Sequence, residues 1–401
     1  MWKGCRMVKG GAILATALAL AAMSGPGAGQ GTVVRGTEFG EPIQGIDGVE
    51  FELFRLGLED FLEVEDADEG LGPLYNGRSC AECHVTPAIG GISTITEVRA
   101  GTLDADGTFQ DPPGGSLIHL FSIPDHSIQA AVPEGANVVA RRQPIPLFGG
   151  GLVEAVPDEV LAALEDPEDE DGDGISGRVH WVVDRDSGET RAGRFGWKAQ
   201  QSSLFTFGAE AYRNEMGITS DLFPDEMCPA GDCEPLEFID PVADPEDGPE
   251  LSTGLRGIDN FANFMRLLGP PPGGAENDTT RRGEELFEEV RCSACHVPTL
   301  QTGSSPFEAL SNKTFRPFGD FLLHDVGTGD GIQDGDAGPA EIRTPALWGV
   351  SHRAPYLHDG SAATIEAAIL RHGAEAESSR TLFEALTAEE RGALLAFLRS
   401  L

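Results

Sequence analysis

The sequence predicts a mainly α, loop-rich protein of two lobes. Three observations carry that expectation. The chain has 401 residues, the length of two ordinary domains rather than one. Its 52 Gly and 27 Pro are too many for a bundle of long helices or an extended sheet, and they call for frequent turns. One short motif, Cys-x-x-Cys-His, occurs twice, once in each half. Acidic residues number 66 against 28 basic ones, a net charge of −38. Nucleic acid is excluded as the default partner, because proteins that hold a phosphate backbone present basic patches. A charged partner would be cationic, although solubility accounts for the acidity equally well.

The N-terminus reads as a targeting segment. Lys3, Arg6 and Lys9 precede an apolar run from Ala12 to Met23. That run, roughly a dozen residues, is too short to span a bilayer. Ala22-Met23-Ser24 is a small-x-small cleavage site, so residues 1–24 are read as a signal peptide. The mature protein is then exported, periplasmic or otherwise, and no second long apolar stretch predicts stable membrane insertion. Cys5 precedes the apolar run and does not read as a site of lipid attachment.

Export changes how the other six cysteines read. An even count in an oxidising compartment suggests disulfides. Four of them, however, stand in Cys80-Ala-Glu-Cys83-His84 and Cys292-Ser-Ala-Cys295-His296, the attachment motif for c-type haem. Two thiols two residues apart reach the two vinyl groups of one porphyrin, and the adjoining histidine turns its imidazole to the iron. A zinc site would draw its cysteine pairs from within about twenty residues of each other, and these lie in different halves of the chain. The expectation is two covalently attached haems, in two cytochrome c-like lobes. Cys228 and Cys233 are left to form a local disulfide.

The lobes are placed at residues 31–268 and 275–401, joined by Gly269-Pro-Pro-Pro-Gly-Gly274. Asp278 or Thr279 is expected to cap a helix whose Leu286, Phe287 and Val290 face the second haem. Thr387-x-x-Glu390 reads as a capping box for a last helix that buries Leu394, Leu395, Phe397 and Leu398. A weak internal repeat relates Pro146-Leu-Phe-Gly149 to Ala346-Leu-Trp-Gly349, with Arg142 and Arg343 upstream. The first lobe is longer by an insertion near residues 150–193. It contains Asp169-x-Asp171-x-Asp173-Gly174, which opens like a calcium loop but has His180 where Glu belongs. An Asp-Gly turn in solvent is the first reading and calcium the alternative.

Arg343-Thr-Pro-Ala-Leu-Trp-Gly349, continuing to Ala354-Pro-Tyr-Leu-His-Asp-Gly-Ser-Ala362, resembles the second-lobe signature of the bacterial di-haem cytochrome c peroxidase and MauG superfamily. Closer still is the di-haem oxidoreductase family, also labelled thiol oxidoreductase. The matching segments include Pro146–Pro157, Asp171–Arg178, Arg194–Ala199, Glu215–Ile218, Leu322–Asp325 and Ala367–Gly373. The resemblance implies two all-α cytochrome c lobes that exchange electrons, one haem six-coordinate and the other with an open or displaceable site. In the peroxidases the second-lobe haem takes a Met as its far ligand, and in MauG a Tyr. Here that position reads as His372, and no Met follows His296, so His296 with His372 is the expected pair. His358 is expected to be a hydrogen-bonding group near the haem edge.

For the first haem, His84 is the near ligand, with His119, His126, His180 or water on the far side. An ungapped comparison from Ala199 sets Glu215 on the family's distal-pocket Glu, a general acid/base for O–O cleavage. The same comparison departs from the family by placing Phe195 where a Trp stands between the haems, with Trp197 two residues on, and Phe205 at the pocket Gln. The leading expectation is a di-haem oxidoreductase with peroxidase-type chemistry at the first haem. It would be fed by a small redox donor, a basic cytochrome or cupredoxin, and would act on a small-molecule oxidant or substrate. The alternatives are a pure electron-transfer di-haem cytochrome c and a di-haem oxygenase. The thiol label finds no spare reactive thiol to support it.

Overall fold

Asp47 opens the first long helix, Gly48–Leu62, by accepting from the backbone N–H of Val49 and Glu50 while Glu50 returns a bond to the Asp47 N–H. The computed structural model describes residues 32–123, 131–228 and 241–401; residues 1–24, His126 and Cys233 lie outside them. The partner of the first helix is Gly257–Leu267, started by the Asp247 carboxylate, which accepts from Gly257 N at 2.8 Å and Ile258 N at 3.2 Å. Gly57 lets the two helices meet, since a Cβ there would collide with the Asn260 carbonyl oxygen and the Phe264 Cβ. One turn on, Phe61 packs on Phe264, ring centroids 4.8 Å apart.

The same construction recurs in the second half. Asn277 caps the helix Asp278–Glu289, one residue before the expected cap, because its Oδ1 reaches Thr279 N and Thr280 N. Thr387 and Glu390 form the expected capping box of Ala388–Leu398. Here Gly283 is the close approach, its absent Cβ making room for the Ala393 carbonyl oxygen and Phe397 Cβ. One turn on, Phe287 meets Phe397 at 5.6 Å. The two halves therefore share Gly-x-x-x-Phe on one helix, and a carbonyl with Phe four residues later on its partner. Gly149 and Gly349, the ends of the weak repeat, both take left-handed backbone, φ 71° and 66°.

Helix outweighs strand and loops outweigh both, as expected of a loop-rich, mainly α chain. Among the described residues, helical turns of all kinds account for 30% and strands for a further 14%, with the rest in turns and irregular segments. The strands are short, except for a four-stranded sheet ahead of the insertion. In it Glu97–Leu103 pairs antiparallel with Val138–Arg142, Leu117–Ile118 and Phe109–Gln110. The alternation in Glu97-Val-Arg-Ala-Gly-Thr-Leu103 turns Glu97 and Arg99 to one face.

The segment 269–274 is packed rather than a free tether. Pro270 and Pro271 are buried, Thr37 N donates to Pro270 O at 2.9 Å, and Gly269 N to Glu41 O at 3.0 Å. The prolines lack an N–H to satisfy, so they bury without cost on that side. One apolar core runs past this segment and joins Leu147, Phe148 and Phe264 to Phe315, Phe321 and Trp348. Thr32–Leu401 is a single unit by its contacts. No helix among the described residues is long and apolar enough to cross a membrane.

Candidate functional site

Both motif histidines are held by the same device. His84 donates Nδ1–H to Gly91 O at 2.9 Å, and His296 donates Nδ1–H to Phe318 O at 3.1 Å. A carbonyl only accepts, so the tautomer is fixed and each Nε2 keeps its lone pair for a metal. Phe61 lies against His84 (6.1 Å, 58°) as Phe287 lies against His296 (6.4 Å, 55°). The Gly-x-x-x-Phe helix thus orients the imidazole in both halves, and the sequence reading passed over the first copy, Gly57-Leu-Glu-Asp-Phe61. None of Cys80, Cys83, Cys292 and Cys295 is in a disulfide, whereas Cys228 is disulfide-bonded.

Cys80, Cys83 and His84 line a cleft of about 1220 Å³. Among its described lining residues His84 is the only histidine. His119 donates Nε2–H to Asn214 O, and His180 is buried, with Nδ1 on Lys198 O at 2.8 Å and Nε2 accepting from Asp336 N. Neither lines the cleft, so the structure does not bring these two far-side candidates to it. Glu215 does line it. The helix Leu204–Ala211 widens into one π-turn, Tyr212–Met216, before Gly217 ends it at φ 76°. The Glu215 carbonyl accepts from Asn76 N at 2.7 Å, and Asn76 Nδ2 donates to Glu215 Oε2 at 2.8 Å. Burial, then the neighbouring Glu97 carboxylate, push the Glu215 pKa up. Trp197 also borders the cleft and donates Nε1–H to Gln143 O at 2.7 Å, whereas Phe195 lines the neighbouring cavity and Phe205 is covered by Arg256. Glu97, Arg99 and Asn76 were missed by the sequence reading, and Arg142 stood out there only as part of the weak repeat; only the alternation of the Glu97 strand hinted at the first two.

The second site has two histidines. His372 follows the helix Ile365–Leu370 and donates Nδ1–H to Ala368 O at 2.8 Å, again leaving Nε2. Burial, and next the nearby His372, lower the His296 pKa to about 4, so the two imidazoles lie within electrostatic reach. A third histidine, His324, also reaches the second motif, its Nδ1 3.7 Å from Cys295 Sγ, but carboxylates hold both its nitrogens. His324 is buried with Nδ1 on Glu375 and Nε2 on Asp320, each at 2.9 Å, and His352 packs against Phe39. His358 is edge-on to Trp197 at 6.1 Å, its buried Nδ1 without a partner among the described residues.

The Asp-rich loop turns its carboxylates onto its own backbone. Asp166 accepts from Glu170 N, Asp171 from Asp173 N, and Asp173 from Ile175 N. Asp166, Asp169 and Asp171 converge, but Asp173 pairs with Arg291, the residue before Cys292. The turn expected in solvent therefore docks on the second motif.

Tests of fit favour a large dianionic cofactor. Arg343 is 4% exposed and bonds only carbonyls, Gly196 O at 2.7 Å among them; burial, and then Arg353, pull its pKa down to about 9. Burial also lowers Arg353, to about 10. A buried guanidinium is ordinarily paired, and neither has a carboxylate in contact among the described residues. Arg142, which lines the first cleft, has a buried Nη2 without a partner.

Two cysteine-pair motifs with matched histidines, beside arginine N–H groups that no described carboxylate takes up, define a haem oxidoreductase. A family model described as "Di-haem oxidoreductase, putative peroxidase" matches residues 123–401, and the chain belongs to that family. The match includes Glu215 and the second motif but begins after the first. Cytochrome c peroxidase Ccp of Escherichia coli (strain K12) is 28% identical over 131 residues, which are 30% of this chain and 28% of that protein. The match thus spans little more than a quarter of the curated relative. A MauG-like protein associated with microbial copper homeostasis is 16% identical, covering 95% of each chain, with a TM-score of 0.39. The diheme peroxidase BthA from Burkholderia thailandensis E264 is 15% identical over 92% of this chain and 91% of its own, with a TM-score of 0.43. Haem cofactors follow from family membership.

Proposed function

We propose that this is an exported di-haem c-type oxidoreductase that reduces peroxide at its first site and relays electrons through its second. Cys80 and Cys83 attach one haem and Cys292 and Cys295 the other, in lobes 31–268 and 275–401. His84 and His296 are the near ligands, and His372 is the far ligand of the second. The observation that carries the reading is the inequality of the two sites. The first cleft offers a single histidine and a buried, protonated Glu215; the second offers two imidazoles, each with Nδ1 tied to a carbonyl. Paired imidazoles favour a low-spin iron of lower potential than His/Met ligation gives.

A haem bound in the first cleft supplies the redox-active iron at which an O–O bond is reduced. The chain's part is to hold and move protons there. Asn76 fixes the Glu215 carboxyl, burial keeps its proton on, and Glu215 delivers it to the departing oxygen. Arg142 at the first site and Arg343 and Arg353 at the second offer charge to the haem carboxylates. The acidic surface suits a basic cytochrome or cupredoxin as donor. The Asp-rich loop serves as a self-capped turn on the second motif, and calcium has no step in this reading. Low-temperature EPR of the oxidised, haem-loaded protein tests the proposal. One high-spin and one low-spin ferric signal are expected; two low-spin signals would favour a pure electron-transfer cytochrome.

A further inference from the structure

We infer that Glu97 is a positioning residue for Glu215, the two side chains forming one hydrogen-bonded carboxyl pair that keeps a single proton at the first cleft for an incoming peroxide. The inference rests on the reading of that cleft as the site of peroxide reduction, and it deepens it. Glu97 opens its strand, and Arg99, two residues on and on the same face, grips it through Nε at 2.8 Å and Nη2 at 3.3 Å. Arg142 stands opposite Glu97 in the strand register and brings Nη1 to 3.7 Å. Glu215 comes from the π-turn into the same cleft, its carboxyl beside that of Glu97 and bonded to Asn76 at 2.8 Å, with no cation bonded to it among the described residues. Both carboxyls line the cleft.

Two carboxylates in contact do not both ionise. The cations decide which one keeps the proton. Arg99 and Arg142 hold Glu97 down against its burial, while burial and Glu97 itself hold Glu215 up. The other ionisable groups that bear on the pair include Cys83, beside both carboxyls, and Glu210, Asp334, Asp111 and His119, which act through Arg99. The anion of the pair makes it more than a single buried acid. Reduction of hydrogen peroxide consumes two electrons and two protons and yields two waters, the electrons coming from a reduced small redox protein. In O–O cleavage the proton on the near oxygen must be removed while the far oxygen gains one to leave as water. A pair holding one proton and one vacancy gives and takes in the same step and returns to its starting count.

The test is an infrared pH titration of the protonated-carboxyl C=O band in the haem-loaded protein, identified by its loss in Glu215→Gln. In Glu97→Gln the midpoint should fall by at least about one pH unit, because the neighbouring negative charge is gone. In Arg99→Gln it should rise, because the cation that holds the pair ionised is gone. The alkaline limb of peroxide turnover should move with the midpoint in both variants. An unchanged midpoint in Glu97→Gln, or a band that survives Glu215→Gln, would overturn the pair. If Glu97→Gln does not fold, Arg99→Gln decides by the same titration, a midpoint that fails to rise overturning it. The titration needs no turnover, so a shifted band in a protein inert to peroxide would sustain the pair and overturn the peroxide reading.

Discussion

The Nε2 atoms of His84, His296 and His372 are all left available in one way, by an Nδ1–H bonded to a backbone carbonyl. The three histidines do not have equal surroundings. His372 lies near His296, whereas the cleft at His84 presents Glu215. Replacing His372 by Ala should convert the second haem from low to high spin, read by EPR with haem content unchanged. A low-spin spectrum that persists would remove His372 as a ligand. Glu215→Gln keeps the Asn76 contact but loses the proton, and should lower peroxide turnover by about 10²–10⁴-fold, the usual weight of a general acid. Equal turnover would assign Glu215 a structural role. His372 was singled out in the sequence from its place in the motif order, and the structure sets it near His296. Glu97 was not, because nothing local distinguishes it from the other acidic residues of an acidic chain.

At the scale of elements, the repeated unit is a helix pair with a glycine at its crossing. Gly57 and Gly283 each lie against a partner carbonyl, so Gly57→Ala and Gly283→Ala should each push the helices apart. A cost of about 1–3 kcal/mol apiece is expected, as for other overpacked interiors. Urea unfolding of each single variant and of the double one checks this, with near-additivity expected for separate crossings. The Glu97 strand is the counterpart that only the first half has. Its register sets Arg142 beside Glu97, and the loop carrying Asp330 closes over it, the carboxylate bound by Arg142 at 2.7 Å and Lys198 at 3.1 Å. Helix signals such as Thr387-x-x-Glu390 are local and were read correctly. Strand partners are far apart in sequence, and the sheet went unseen.

For the molecule as a whole, buried acids set the response to pH. Burial raises Glu65 to about 7 and Asp247 to about 6, against about 4 in an unfolded chain. A carboxyl raised on folding contributes stability that is full below its unfolded pKa and is lost as pH rises through its folded one. Asp330 and Glu375 are depressed by their partners, so their contribution disappears as pH falls. Self-repulsion at −38 adds to the alkaline loss. The Tm of the haem-loaded protein should therefore fall from pH 5 to pH 8, and Glu65→Gln, which retains a partner for the Tyr212 hydroxyl, should flatten that fall. A Tm that rises over this range would contradict the account.

The sequence by itself determined the two Cys-x-x-Cys-His motifs, the capping box of the last helix and the family, because each is written in a few adjacent residues whose spacing is the chemistry. Tertiary structure alone decided that the Pro-rich segment packs instead of tethering and that His119 and His180 turn away from the first cleft. It also decided that Arg343 and Arg353 meet no carboxylate among the described residues and that Glu97 and Glu215 line one cleft. Those outcomes depend on which distant segments exclude water together, and burial, which sets both pairing and proton affinity, is a property of the packed chain.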